Sequence, residues 1–341
     1  MADLKSSARF SVQSDEALLA FWRHELDEHG FEYHTVNANW LEIETPFGTG
    51  TIRSSNGNAL IDIQCDTIDD LIGVREAITH HLLAFDANLA NVQWDQTHDH
   101  APALPNFCEA RVSGVERLNG CYWRVILATE HAHRLIGPGL HFRLLRRQDV
   151  RRPPVWPSMT QRGIPSWPTG PDKLIQTHYT VRSVDAVRSQ VVFDAFIHPE
   201  GATCDWVAGR PLGERVGLLG PGGGLAPVGD WLLLGGDETA VPAVARIVET
   251  LPPDTEGEAR LLVPSLDHVF PIENPSRVSI HWLSRARDDK LCDAVVTTPL
   301  ATQRDYRVWF AGSYDDAQAV RQHYRHRDGI EQRRVTAIAF W

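Results

Sequence analysis

The stretch from Trp231 to Pro252, WLLLGGDETAVPAVARIVETLP, constrains the fold more than any other part of the chain. An apolar run ends in two glycines and the polar trio Asp237, Glu238 and Thr239. Beyond it Ala240, Val241, Val244, Ile247, Val248 and Leu251 recur at helical spacing. The pattern predicts a buried strand that turns abruptly into a helix. Open α/β sheets hold nucleotides at such junctions, because a helix start offers unpaired N–H groups and positive dipole charge. Two acids on that turn would repel a phosphate, which leaves open what the turn is for.

The rest of the C-terminal part repeats the alternation. ARLLVPS, RVSIHWLS, YRVWFAGS and VTAIAFW read as strands, DDKLCDAVVTTP and DDAQAVRQHYRHRDG as helices, and the order predicts a parallel sheet covered by helices. Residues 107–227 have another texture. FCEARVSGVERLNGCYWRVILATE, HFRLLRR, LIQTHYTVRSV, QVVFDAFIH and RVGLLGP are short strands between turn residues, a density that predicts a small antiparallel barrel. The Pro-rich insert DVRRPPVWPSMTQRGIPSWPTGPDK is excluded from a central strand and is expected as a long surface loop beside the barrel. The first segment reads as a small α+β unit: a helix with Leu18, Trp22 and Leu26 on one face, hairpin strands around SNGN, and a second helix with Ile68, Leu71, Ile72, Ile78 and Leu82 inward. The expected multidomain α+β architecture is therefore a small α+β domain over 1–92, a β-barrel domain over 105–227 and an α/β nucleotide-binding domain over 228–341.

A net charge of −11 and the lack of an arginine-rich arm exclude bulk nucleic-acid binding. No apolar run approaches the roughly 20 residues that span a bilayer, and MADLKSSARF lacks a secretory core, so a cytoplasmic location without a membrane span is expected. The five cysteines form no C-x-x-C pair. His98, His100, His131 and His133 have no carboxylate or cysteine at ligand spacing, so no metal site is expected.

Several stretches, taken in order, resemble the siderophore-interacting protein family of flavin-dependent ferric-siderophore reductases, relatives of the ferredoxin reductases. They are HYTVRSVD, FDAFIHPEGATCDWVAGRPLGERVGLLGPGG, GGDETAVPAVARIVETLP, IHWLSR, WFAGSYDDAQAVRQHYR and the terminal AIAFW, over roughly residues 107 to 341. The resemblance implies FAD on the barrel, NADPH (or NADH) on the sheet and a ferric siderophore as substrate, with a ferredoxin as a second candidate donor. It also implies a role for each matching residue. Tyr179 packs by the flavin ring, Thr180 approaches its redox edge, and Arg182 lies nearby. His198 and Gly201, Ala202, Thr203 and Cys204 hold the diphosphate, and Trp206 faces the adenine or the core.

On the sheet, Asp237 and Glu238 accept N–H groups at the helix start, with Thr239 beside them. Simple N-capping explains these acids equally well; a position between flavin and nicotinamide would make Thr180, Asp237 and Glu238 catalytic. Arg285 meets a ribose or 2′-phosphate, or is an exposed strand-end arginine. Ser313 lies on the nicotinamide side, and Trp341 stacks near the flavin or joins the core. Three departures from the family pattern stand out: Thr177 where an arginine is usual, Cys204 for serine, and Ser313 for glutamate. They keep open a flavin-free binding protein, and another flavin reductase on the same frame is the second alternative. Arg143, Arg146, Arg147, Arg151 and Arg152 either steer an anionic ferric complex or are solvated loop arginines.

Overall fold

The computed structural model describes residues 4–29, 31–95, 103–198, 201–325, 327 and 329–341. His98 and His100 lie outside these residues. The amino-terminal domain begins with β1 (Leu4–Ser11), α1 (Asp15–His29), β2 (Glu32–Asn37), β3 (Trp40–Thr45), β4 (Gly48–Ser55), β5 (Asn58–Cys65) and α2 (Ile68–Phe85). Its five strands form a sheet in the order β1-β5-β4-β3-β2. Period-two alternation sends Leu41, Ile52, Ile61 and Ile63 to one face, where Leu18, Trp22, Leu71 and Leu82 of the helices complete the core. Within that core Arg75 is buried and bonds Ser6 Oγ at 3.0 Å and the Asp95 carbonyl at 3.2 Å.

The middle of the chain carries β6 (Phe107–Leu118), β7 (Tyr122–Ala128), β8 (His141–Arg147), the two-residue β9 (Ser158–Met159) and β10 (Pro165–Ser166), β11 (Leu174–Thr180), β12 (Ser183–Asp185), β13 (Gln190–Phe196), α3 (Ala202–Ala208) and β14 (Arg215–Gly222). One barrel-like sheet runs β11-β8-β14-β6-β7-β13-β12. The Pro-rich insert is more than a surface loop. β9 and β10 pair with each other, and Trp156, Met159 and Trp167 pack on a core of Leu104, Leu145, Leu174 and Leu219. Two indole N–H bonds fasten it, Trp156 to Glu109 at 2.7 Å and Trp167 to Glu76 at 2.6 Å.

The last part contains β15 (Trp231–Gly236), α4 (Val241–Glu249), β16 (Glu256–Val263), β17 (Arg277–Ser284), α5 (Leu291–Val296), β18 (Tyr306–Gly312), α6 (Tyr314–Arg325) and β19 (Val335–Ala339). All pairings are parallel, in the order β17-β16-β15-β18-β19. The two glycines ending β15 serve close packing rather than an unusual backbone. A Cβ on Gly235 would lie 2.6 Å from the Phe310 ring, and one on Gly236 3.0 Å from Val244.

Contacts gather the chain into two compact units that cut across the sequence textures. The first comprises Met1–Ala110, Arg134–His178 and Arg215–Leu225; the second comprises Arg111–His133, Tyr179–Glu214 and Ala226–Trp341. The amino-terminal domain thus packs with part of the barrel, and the rest of the barrel packs with the parallel sheet. No described helix is long and apolar enough to cross a membrane.

Candidate functional site

The second unit holds most of the residues singled out by sequence. Its parallel sheet reverses direction of growth between β15 and β18, and the carboxyl ends of strands at such a switch point open into a ligand crevice. Asp237 follows β15 there and is fully buried. Its Oδ1 accepts the Thr239 N–H at 2.9 Å, the Thr239 hydroxyl at 2.7 Å and the Ala240 N–H at 3.3 Å, so it caps the turn into α4. Its Oδ2 accepts the Trp341 indole N–H at 2.8 Å. Burial raises the Asp237 pKa above the ordinary carboxylate value, and these hydrogen bonds oppose the rise.

Glu238 and Arg285 form a two-bond ion pair, Nε to Oε1 at 2.5 Å and Nη2 to Oε2 at 2.8 Å. The carboxylate is buried while the guanidinium is about half exposed, which leaves Nη1 for a further partner. Ser313 caps α6, its hydroxyl accepting the Asp316 N–H at 3.2 Å. Trp341 stays 64% exposed although its indole N–H is anchored, so its ring is a free aromatic surface rather than core.

The sequence reading overlooked Tyr122. This fully buried residue of β7 donates its hydroxyl to the Glu238 carbonyl at 2.7 Å. Its ring meets those of Phe196 and Phe270 edge-on at 5.6 and 5.2 Å. The signal lay in Pro242: as the residue four beyond Glu238 it has no N–H for that carbonyl, so a donor from elsewhere is required.

The barrel residues are brought together less evenly. Tyr179 lies against Phe193 with centroids 4.6 Å apart, and Thr180 is buried. Arg182 is bound by Glu249 through two bonds of 2.6 Å and sits 3.7 Å from Asp194, so its charge is taken up within the fold. Asp194 in turn holds Arg124 through two bonds of 2.8 Å. The Cys204 thiol donates to the Phe196 carbonyl at 3.2 Å, and the Trp206 indole N–H bonds Glu214 at 3.1 Å. Thr203 is buried, and the side chain of Ala202 lies outside what is described.

Two observations fit a diphosphate-bearing flavin. Gly201 precedes α3 without a side-chain cap, and a Cβ there would come within 2.8 Å of Cys204 Sγ and 3.0 Å of His198 Nε2. Only glycine fits between Cys204 and His198 at that point. Thr177 Oγ1, at the family's arginine position on β11, is buried with no hydrogen-bond partner among the described residues.

In the first unit the arginine patch is largely neutralised. Arg143 Nη2 lies 3.4 Å from Asp69, Arg151 Nε 3.0 Å from Asp149 and Arg152 Nη2 2.8 Å from Asp172. Arg146 is buried, and Arg147 Nη1 donates to the Arg152 carbonyl at 2.9 Å. Among the described residues no group of three or more His, Cys, Asp or Glu could hold a metal ion.

Comparison with known proteins converges with this geometry. Residues 111–225 match the siderophore-interacting FAD-binding domain, and residues 229–341 match the siderophore-interacting protein domain. An uncharacterized protein of Mycobacterium tuberculosis is 34% identical over 178 residues, covering 48% of this chain and 63% of that protein, so the match spans under two thirds of that relative's length. The NADPH-dependent ferric-chelate reductase of Escherichia coli is 27% identical over 243 residues, covering 69% of this chain and 92% of the relative. The crystal structure of a siderophore utilization protein from T. fusca superimposes with a TM-score of 0.61 at 26% identity, over 69% of this chain and 92% of that one. A flavin-type barrel followed by a switch-point sheet, each matched by its own family model, makes this chain a member of the siderophore-interacting protein family.

Proposed function

We propose that the chain reduces ferric siderophores in the cytoplasm, with electrons from NADPH, or NADH, passing through FAD. The observation that carries the reading is the joint within the second unit, where Tyr122 of the barrel bonds the main chain of Glu238 on the sheet's switch-point turn. A relay between two bound cofactors needs their sites held at constant geometry, and this joint supplies it. The E. coli relative's name, a ferric-chelate reductase, supports the same reaction class.

FAD, when bound, converts the two-electron hydride of a nicotinamide into single-electron steps that iron(III) can accept. Iron(III) is held by hard oxygen donors, and iron(II), with its lower charge density, is released from them. The residues of the chain do the holding. The turn at Gly201, closed tightly on Cys204 and His198, holds the main chain ahead of α3 for a diphosphate, and Tyr179, backed by Phe193, offers a ring face to the flavin. Asp237 fixes the α4 turn and the Trp341 ring, and Arg285, steadied by Glu238, presents Nη1 to a dinucleotide phosphate. We assign the domains as 1–92, 105–227 and 228–341.

The test is a visible spectrum of the purified protein with added FAD, then NADPH under anaerobic conditions, then a ferric siderophore with a ferrous-iron trap. Retained flavin bands that NADPH bleaches, and that return as iron(II) is trapped, are expected. A colourless protein that ignores added FAD refutes the reading. Replacing NADPH by a reduced ferredoxin in the same sequence tests the second candidate donor.

A further inference from the structure

One buried polar cluster in the first unit is used by none of this chemistry. Strand β14 ends in Gly220-Pro221-Gly222-Gly223-Gly224, with φ of +83° at Gly223 and +77° at Gly224. Main-chain N–H groups exposed in such a turn can bind an anion. Here the anion is a side chain of the amino-terminal domain. Gly223 N–H donates to Asp70 Oδ1 at 3.0 Å. Gly222 passes so close to Asp69 that a Cβ would lie 2.4 Å from its Oδ2. Asn106 Nδ2 donates to Asp69 Oδ1 at 2.6 Å, and Arg143 Nη2 approaches the same oxygen at 3.4 Å.

Asp70 Oδ2 accepts the Thr67 hydroxyl at 2.6 Å while Thr67 Oγ1 accepts the Asp70 N–H at 3.0 Å, so the cap of α2 takes up one Asp70 oxygen and leaves Oδ1, with the whole of Asp69, for partners outside the helix. Burying two adjacent carboxylates beside one guanidinium is costly unless donors surround them. Asp69 and Asp70 are only 6% and 7% exposed, and what surrounds them is largely a donor set: the Gly223 main-chain N–H, the Thr67 hydroxyl, an amide and a guanidinium. That is the recognition set of an oxyanion. Asn106, 5% exposed, keeps its Oδ1 buried without a partner among the described residues, an acceptor suited to a hydroxyl or a protonated acid group of a bound ligand.

We propose that Gly222–Gly224, Asn106 and Arg143 form an oxyanion-binding site, and that Asp69 and Asp70 are its built-in occupant, displaced by a phosphate- or carboxylate-bearing ligand. The amino-terminal domain thereby acts as an internal competitor that holds the site closed.

The experiment uses the full chain without added cofactor. The Asp69→Ser/Asp70→Ser double variant is titrated with inorganic phosphate and, separately, with citrate, while thermal stability and amide exchange at Gly223 and Gly224 are followed. The variant is expected to bind one of these anions at least about tenfold more tightly than the wild type, with both amides gaining protection. Adding Arg143→Gln is expected to abolish the gain. A preference for phosphate points to a nucleotide-type ligand, and one for citrate to a carboxylate chelate. A variant that binds both anions no better than the wild type, or that is indifferent to Arg143→Gln, overturns the proposal. Should the double variant not fold, Asp70→Asn, which keeps the size and loses the charge, is titrated against the same two outcomes.

Discussion

Replacing Tyr122 by phenylalanine removes one hydroxyl and leaves the aromatic packing intact. The Glu238 carbonyl then has no donor in reach, since Pro242 at the helical position carries no N–H and Tyr122 supplies the 2.7 Å bond. An orphaned buried carbonyl costs about 1–3 kcal/mol. For a cooperative unit of about 150–250 residues each kcal/mol shifts Tm by about 2–4 °C, so Tyr122→Phe is expected to melt roughly 2–12 °C lower. Tyr122→Leu also loses the edge-on contacts with Phe196 and Phe270 and is expected to fall further. Scanning calorimetry with and without FAD measures both. The KM for NADPH is expected to rise as well, because the turn that carries Glu238 and Thr239 loses its anchor. A Tyr122→Phe protein that melts within about 1 °C of the wild type would refute the reasoning, since the carbonyl would then have found another partner.

Other outcomes follow from the same geometry. Gly201→Ala forces a Cβ to within 2.8 Å of Cys204 Sγ, so FAD affinity measured by fluorescence quenching is expected to fall at least about tenfold. Thr177→Arg is expected to tighten FAD by a similar factor, and unchanged quenching curves would count against a flavin diphosphate beside β11. Burial, with His178 next in effect, holds the His141 pKa down to about 4 against 6.5 when unfolded. The folded protein therefore binds fewer protons between these values, and stability present above pH 6.5 is lost as pH falls toward 4; urea midpoints of His141→Gln should show a shallower acid limb. Asp237 has the opposite sign. Its raised folded pKa makes its contribution favour the folded state at low pH and fade as pH rises through that value, so Asp237→Asn is expected to gain stability relative to wild type above it, offset by the lost Trp341 bond, which tryptophan fluorescence reads directly.

The order of elements was legible because each rests on local pattern: the helical spacing after Thr239, the period-two strands around SNGN, and the glycine pair that Phe310 and Val244 demand. Side chains whose partners lie far along the chain were not. Asp70 reads as an ordinary first-turn acid of a helix, yet its partner Gly223 is 153 residues away. The sequence beside Arg182 and Arg285 likewise carries no sign of the carboxylates that pair with them, Glu249 in one case and Glu238 in the other, because those partners lie 67 and 47 residues away. The Pro-rich insert reads as surface because proline excludes a central strand, but tryptophans spaced among the prolines can still fill a core, as Trp156 and Trp167 do.

The three departures from the family pattern now separate. Cys204 has a carbonyl to donate to, and Ser313 caps a helix, so each substituted side chain is satisfied by its own surroundings. Thr177 is not: its hydroxyl is buried with no hydrogen-bond partner among the described residues. Trp22 Nε1 and Trp40 Nε1 of the amino-terminal domain are orphaned in the same way, so the orphan by itself does not mark a cofactor. The Thr177→Arg titration separates the two readings, because a guanidinium there tightens FAD only if the flavin diphosphate lies beside β11, and leaves a barrel that has lost its cofactor unchanged.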